Sequence, residues 1–190
     1  LQKISQLKIG DKLVVSGSFS KGLDPEVIIK IAQMAQQQQF DLVIDTSYPE
    51  VKAAVKYRPF LLKPNNEELL SWFDKEDSND LSTLVKYSKQ LIQQGAKNIL
   101  LSIGSKGALF VNQEQVIFGN APKIKVVNTA CSGDTMLGTF LAGMEQKLSL
   151  ADNLQRSIAA ASSTAATAGL TDFNDVKELM KQIKIEQLEG

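Results

Sequence analysis

The sequence predicts an α/β protein built on a mainly parallel sheet with helices on both faces. Short apolar runs, each closed by a polar turn, alternate with longer stretches that carry a helical stripe, as in strands joined by crossover helices. The polar ends recur at residues 16–18, 45–47, 63–66, 102–107 and 128–134. In parallel sheets ligands sit beyond the carboxyl ends of the strands. All five ends are therefore expected on one edge, and a site is expected there.

Leu13-Val14-Val15-Ser16 reads as a short buried strand, ended by Gly17-Ser18. Pro25 suits a first helical turn, and the helix it opens runs to the glutamines at 36–39, with Val27, Ile31 and Met34 on one face. Leu42-Val43-Ile44 is the next strand, followed by a short helix over 50–56. Phe60-Leu61-Leu62 is a third strand, broken by Lys63-Pro64-Asn65-Asn66. A helix over 67–73 leads into a polar, acidic surface loop over 74–80. Leu81, Leu84, Val85, Ser88, Leu91 and Ile92 then form a helical stripe closed by Gly95. Asn98 to Ser102 is a fourth strand, and 108–111 with 116–118 form a hairpin about Asn112-Gln113. The remainder is helical over 133–147, 150–168 and 173–183. Leu137, Phe140, Leu141, Met144 and Leu148 form the apolar face of the first of these helices.

A chain of 190 residues with 43% apolar and 22% charged residues suits a single domain, residues 1–190, with a full core. Lys plus Arg and Asp plus Glu number 21 each, without a basic block, so nothing favours a nucleic-acid or membrane partner. There is no histidine, which excludes Ser-His-Asp and Cys-His catalysis and any His-ligated metal within the chain. Cys131 is the only cysteine, so internal disulfides and Cys-cluster zinc sites are excluded, and a reducing, cytoplasmic setting is expected. The opening Leu-Gln-Lys-Ile-Ser has neither an initiator Met nor the apolar core of a signal peptide, and reads as the start of a fragment.

The stretch around which the rest is organised is Val126-Val127-Asn128-Thr129-Ala130-Cys131-Ser132-Gly133-Asp134-Thr135-Met136. An apolar run ends, small residues turn, and an amphipathic helix begins. Such a loop aims several N–H groups at one spot, and the helix N-terminus adds partial positive charge, which suits an anion. Asp134 at its mouth is placed to act as a base toward a hydroxyl while the loop steadies a phosphoryl group. Plain helix capping by Ser132 or Asp134 is the other reading. Ser102-Ile103-Gly104-Ser105-Lys106-Gly107 follows a strand and lets backbone approach a phosphate, or is a plain turn. It is neither a Walker loop nor a dinucleotide fingerprint. Asn65 and Glu68 stand at capping-box spacing, and Glu68 could also hold Mg²⁺ through water. Asp45 is a base, a sugar ligand or a turn residue. Lys63 reaches a phosphate or lies along the surface.

Together, Val-Val-Ser-Gly-Ser at 14–18, Lys-Pro-Asn-Asn-Glu-Glu-Leu at 63–69, Ser-Ile-Gly-Ser-Lys-Gly-Ala at 102–108 and Val-Asn-Thr-Ala-Cys-Ser-Gly-Asp at 127–134 resemble, in the same order, the ribokinase-like (PfkB) carbohydrate kinases. The resemblance implies a three-layer α/β/α fold lacking its N-terminal strands and β lid. Within the family the chain is most similar to members that phosphorylate fructose 1-phosphate to fructose 1,6-bisphosphate. Tagatose 6-phosphate is the close alternative substrate, and a nucleotide-binding module without turnover is the reading from a different class.

The resemblance makes Asp134 the catalytic base and Cys131, Ser132 and Gly133 the anion hole. It places Lys63, Asn65, Ser102, Ile103, Gly104, Ser105, Lys106, Gly107, Gly133 and Asp134 about ATP, with Glu68 serving Mg²⁺ through water. The Ala/Ser-rich helix after Ser157 would flank the adenine. A homodimer of the complete chain is one option, since dimers in the family often form through the lid. The chain departs from the family pattern at Cys131, where glycine is usual, at Ser20, where proline is common, and in the short connection at 168–170.

Overall fold

Leu13, Val14 and Val15 form a strand in the computed structural model, which describes residues 1–76 and 78–188, but not the buried strand expected of them: Val14 is 43% exposed and none of the three is buried. Asp77, within the anticipated surface loop, lies outside the described residues. The contacts gather into two units, Leu1–Leu101 with Val111–Glu114, and Ser102–Phe110 with the chain from Gln115 onward.

In the first unit β1 (Lys12–Ser16), β2 (Asp41–Asp45), β3 (Leu61–Leu62) and β4 (Asn98–Ser102) pair in parallel. Leu13 stands opposite Leu42, Ser16 opposite Asp45, and Ile44 opposite Leu62. Leu42, Val43 and Ile44 are all buried, as in a strand covered on both faces. Helix α1 (Val27–Gln38) buries Ile28, Ile31, Ala32 and Ala35, the stripe of a 3.6-residue period. Helix α2 (Glu50–Ala54) continues into a 3₁₀ turn at Val55–Tyr57. Helix α3 is Asn66–Ser71. Helix α4 (Leu81–Gln94) is capped by Asp80, whose carboxylate accepts the Thr83 N–H. It ends at Gly95 with φ +135°, where a Cβ would stand 2.7 Å from the Val55 carbonyl oxygen.

β5 (Gly107–Asn112) begins in the second unit and ends in the first, as does the turn where Asn112 Oδ1 accepts the Glu114 N–H; β6 (Val116–Asn120) belongs to the second unit. β7 (Ile185–Leu188) pairs antiparallel to β6, with Val116 opposite Leu188 and Gly119 opposite Ile185. The helix expected over 173–183 shrinks to α7 (Val176–Met180), and β7 was not anticipated. Helix α5 (Ser132–Glu145) buries Met136, Leu137, Phe140 and Gly143, with the Phe140 ring 5.3 Å from that of Phe110. Leu148, expected on this face, lies beyond the helix end. Helix α6 (Leu150–Ala165) starts at Ser149, which accepts the Asp152 N–H. The two helices approach closely where Gly143 meets Asn153. A Cβ on Gly143 would lie 1.9 Å from Asn153 Oδ1, and Asn153 Nδ2 donates to the Phe140 carbonyl at 2.9 Å.

The apolar run Val126-Val127 is not a strand. Both valines are more than half exposed, so the fifth polar segment follows a loop rather than a strand end. Among the described residues no helix is long and apolar enough to cross a membrane.

Candidate functional site

Cys131 turns the chain into α5. Its φ of +61° and ψ of 0° are left-handed, a conformation that glycine adopts most easily. The cysteine is exposed. The N-cap position of α5 is Cys131, whose side chain makes no capping hydrogen bond; Ser132 and Asp134, read as N-caps, both lie inside the helix. The turn is held by the Asn128 side chain together with its own backbone. Asn128 Oδ1 accepts the Ala130 N–H at 3.0 Å, the Ser132 N–H donates to the Thr129 carbonyl at 3.2 Å, and the Thr135 N–H donates to the Cys131 carbonyl at 2.9 Å. Helix geometry leaves the Gly133 N–H without an acceptor in its own helix. Asp134 stands in the first turn and is exposed. Cys131, Ser132, Gly133 and Asp134 are thus contiguous at a helix start that carries the positive end of a 14-residue dipole.

In the same unit, Ser102-Ile103-Gly104-Ser105-Lys106-Gly107 forms a 3₁₀ turn at Gly104–Lys106, closed by the Ile103 N–H donating to the Gly107 carbonyl at 2.8 Å. Ile103 is buried, and Gly104, Ser105 and Lys106 are exposed. The two glycines do different work. Gly104, at φ +51°, has nothing within 4 Å of a built Cβ, so the space above it is open. Gly107, at φ +120°, lies against backbone, and a Cβ would come 1.9 Å from the Gly119 carbonyl oxygen.

In the first unit, Lys63 follows β3 and is 7% exposed. Its Nζ lies 3.1 Å from Asp45 Oδ1, and Ser16 Oγ donates to Asp45 Oδ2 at 3.3 Å. Lys63 is therefore neither a surface side chain nor, as it stands, an open cation, and Asp45 is its counter-ion rather than only a turn residue. Parallel register could have found this pair, because Ser16, Asp45 and Lys63 end or follow neighbouring strands. Asn65 and Glu68 form the capping box of α3 in both directions. Asn65 Oδ1 accepts the Glu68 N–H at 2.7 Å, and Glu68 Oε2 accepts the Asn65 N–H at 2.9 Å.

Among the described residues no three His, Cys, Asp or Glu gather as a metal cage. Mg²⁺ keeps several waters and binds through one or two carboxylates plus phosphates. A single carboxylate such as Glu68, met through water, fits an ion carried in on a nucleotide. The open space over Gly104 and the exposed start of α5 fit the approach of phosphate oxygens to backbone N–H groups. The small residues of α6 fit less well with their expected place beside adenine. From Ser157 to Ala165 they are buried by the protein itself.

The profile of the pfkB family carbohydrate kinases matches residues 2–177. D-tagatose-1-phosphate kinase of Bacillus licheniformis and 1-phosphofructokinase of Bacillus subtilis are each 33% identical over 188 residues, which cover 99% of this chain and 62% of theirs. The chain thus spans about three fifths of the length of these curated relatives. A crystallised Staphylococcus aureus protein superposes with a TM-score of 0.91 at 29% identity, covering all of this chain and 61% of the other. Arabidopsis thaliana ribokinase superposes with a TM-score of 0.70 at 23% identity over 83% of this chain and 53% of its own. The fold is that of the ribokinase-like α/β kinases.

Proposed function

Since the chain belongs to the pfkB family of carbohydrate kinases, we propose that it is the nucleotide-binding and catalytic portion of an ATP-dependent sugar-phosphate kinase. The observation that carries this reading is Asp134, exposed in the first turn of a helix that opens from the left-handed Cys131, whose side chain makes no capping bond. Bound MgATP supplies the phosphoryl group and part of the charge neutralisation. The Asp134 carboxylate takes the proton of the sugar hydroxyl. The backbone of Cys131, Ser132 and Gly133, with the dipole of α5, favours negative charge beside it. Ser102 to Gly107 borders the nucleotide, with Gly104 leaving room for it. Lys63 and Asn65 serve the phosphates in this reading, and Glu68 serves Mg²⁺ through water.

Fructose 1-phosphate is the favoured acceptor, with its 6-hydroxyl phosphorylated. The tagatose alternative is carried as tagatose 1-phosphate, because the relative named for tagatose is a 1-phosphate kinase. A nucleotide-binding module without turnover is the second reading.

The test is phosphoryl transfer from MgATP to fructose 1-phosphate by the chain and its Asp134→Ala variant, with MgATP affinity measured by calorimetry. Turnover should fall by about 10²–10⁴-fold with the affinity little changed. A variant within tenfold of the parent would remove Asp134 from the reaction. MgATP binding without turnover in the parent would favour the second reading.

A further inference from the structure

The last turn of α6 touches the Asp134 loop on both sides. Before the loop, the Ala165 carbonyl accepts the N–H groups of Val127 at 2.8 Å and Asn128 at 3.1 Å. After it, Thr164 Oγ1 donates to Thr135 Oγ1 at 3.0 Å. Thr135 is the residue after Asp134, and its own N–H holds the Cys131 carbonyl. Two adjacent residues of one helix therefore grip both ends of the segment that carries the base. The segment needs such a grip. Residues 126–131 are exposed, no strand leads into them, and the Cys131 side chain at the N-cap of α5 makes no capping bond. The gripping helix is a firm support, because Thr164 is 8% exposed and its neighbours from 157 to 165 are all buried. The Ala160 carbonyl, 3.2 Å from Thr164 Oγ1, competes for the single hydroxyl proton; when it takes that proton the Thr135 hydroxyl donates to Thr164 Oγ1, so the contact between the two threonines holds with either as donor.

We infer that Thr164 is a positioning residue for Asp134: through Thr135 its hydroxyl fixes the first turn of α5, and with it the direction of the carboxylate and the shape of the 131–134 turn. The inference rests on the phosphoryl-transfer reading for its functional half. Its structural half stands independently.

Both halves are tested with Thr164→Val, which keeps the shape and removes the hydroxyl, Thr164→Ser, which restores the hydroxyl, and Ser157→Ala. The last removes a hydroxyl that donates to the Asn153 carbonyl two turns earlier on α6, away from the loop. Hydrogen exchange at the Thr135 N–H is read by NMR. Thr164→Val should exchange about fivefold faster, the fold-change of one ordinary hydrogen bond, and the other two at the parental rate. With MgATP and fructose 1-phosphate, Thr164→Val should lose about tenfold in kcat with the sugar KM within twofold, and Thr164→Ser should recover it. Exchange unchanged in Thr164→Val, or equally fast in Ser157→Ala, overturns the tether. Faster exchange with unchanged turnover overturns the positioning role. A parent that does not turn over counts against the kinase reading of this chain, and the exchange comparison then decides the tether alone.

Discussion

Replacing Gly107 by Ala should cost the chain far more than the same change at Gly104, three residues away. At Gly107 the new Cβ would stand 1.9 Å from the Gly119 carbonyl oxygen and 2.8 Å from the Asn120 carbonyl carbon and Cα. These are backbone atoms of β6, so about 1 Å of retreat would have to come from the strand rather than from a rotating side chain. Overpacking of this kind costs about 1–3 kcal/mol. A backbone at φ +120° and ψ −139° is nearly reserved for glycine and adds about 1–3 kcal/mol. Together these give about 3–5 kcal/mol, a large part of the 5–15 kcal/mol that ordinarily holds a domain folded. At Gly104 nothing lies within 4 Å of the Cβ, and φ is +51°, so only left-handed strain of about 1 kcal/mol remains. Urea unfolding followed by circular dichroism would measure both. Equal losses, or a Gly107→Ala loss below about 1 kcal/mol, would refute the division of the loop into a packed glycine and an open one. If the division holds, Gly104→Ala becomes the usable probe of the nucleotide loop, with the fold intact and MgATP affinity reduced.

Other outcomes follow from single contacts. Lys63→Met leaves Asp45, 14% exposed, without its cation, and should destabilise by about 3 kcal/mol, with Lys63→Met/Asp45→Leu recovering much of that in the same unfolding assay. Asn65→Ala opens the capping box of α3 and should cost about 1 kcal/mol, whereas Asn65→Asp should keep most of it. The hydroxyls of Ser82 and Thr83, with the Thr83 N–H, hold the Asp80 carboxyl at about 2 instead of 3.8. A depressed carboxyl stabilises the fold above its unfolded value and loses that effect as pH falls through the folded one. The stability gap between the parent and Asp80→Ala should thus be full above about pH 4 and close toward pH 2, as pH-dependent melting would record.

Local pattern carried most of the strands and helices. The α4 stripe was legible because Leu84, Ser88 and Leu91 recur on one face and Gly95 closes it, whereas the Asp80 cap, read as part of the surface loop, emerged with the structure. The Asn65–Glu68 spacing announced a capping box, and the box is present. Pattern failed where long-range partners decide. Val126 and Val127 look like a strand, but the Val127 N–H finds its acceptor at the end of α6, nearly forty residues later in the chain, and the side chains stay exposed. Ile185–Leu188 is four residues long and is a strand only because β6 accepts it. Around the candidate site the motif residues were legible, and their supports were not. Thr164 looked like one more small residue in an Ala/Ser/Thr run, and nothing local distinguishes it from Ser162 or Ser163.

The close approach of α5 and α6 at Gly143 also limits how the sequence can drift. A side chain at 143 would meet Asn153 Oδ1 head-on, while the Asn153 amide is committed to the Phe140 carbonyl one turn back on α5. Neither position can change alone. Growth at 143 has to be met by shrinkage at 153, and shrinkage at 153 removes the side-chain hydrogen bond that ties α6 to the Phe140 carbonyl of α5. Descendants of this chain should therefore keep the Gly–Asn combination or exchange both members together. The helix that bears Asp134 is thus held in lineage, as in space, by a partner ten residues further along the chain.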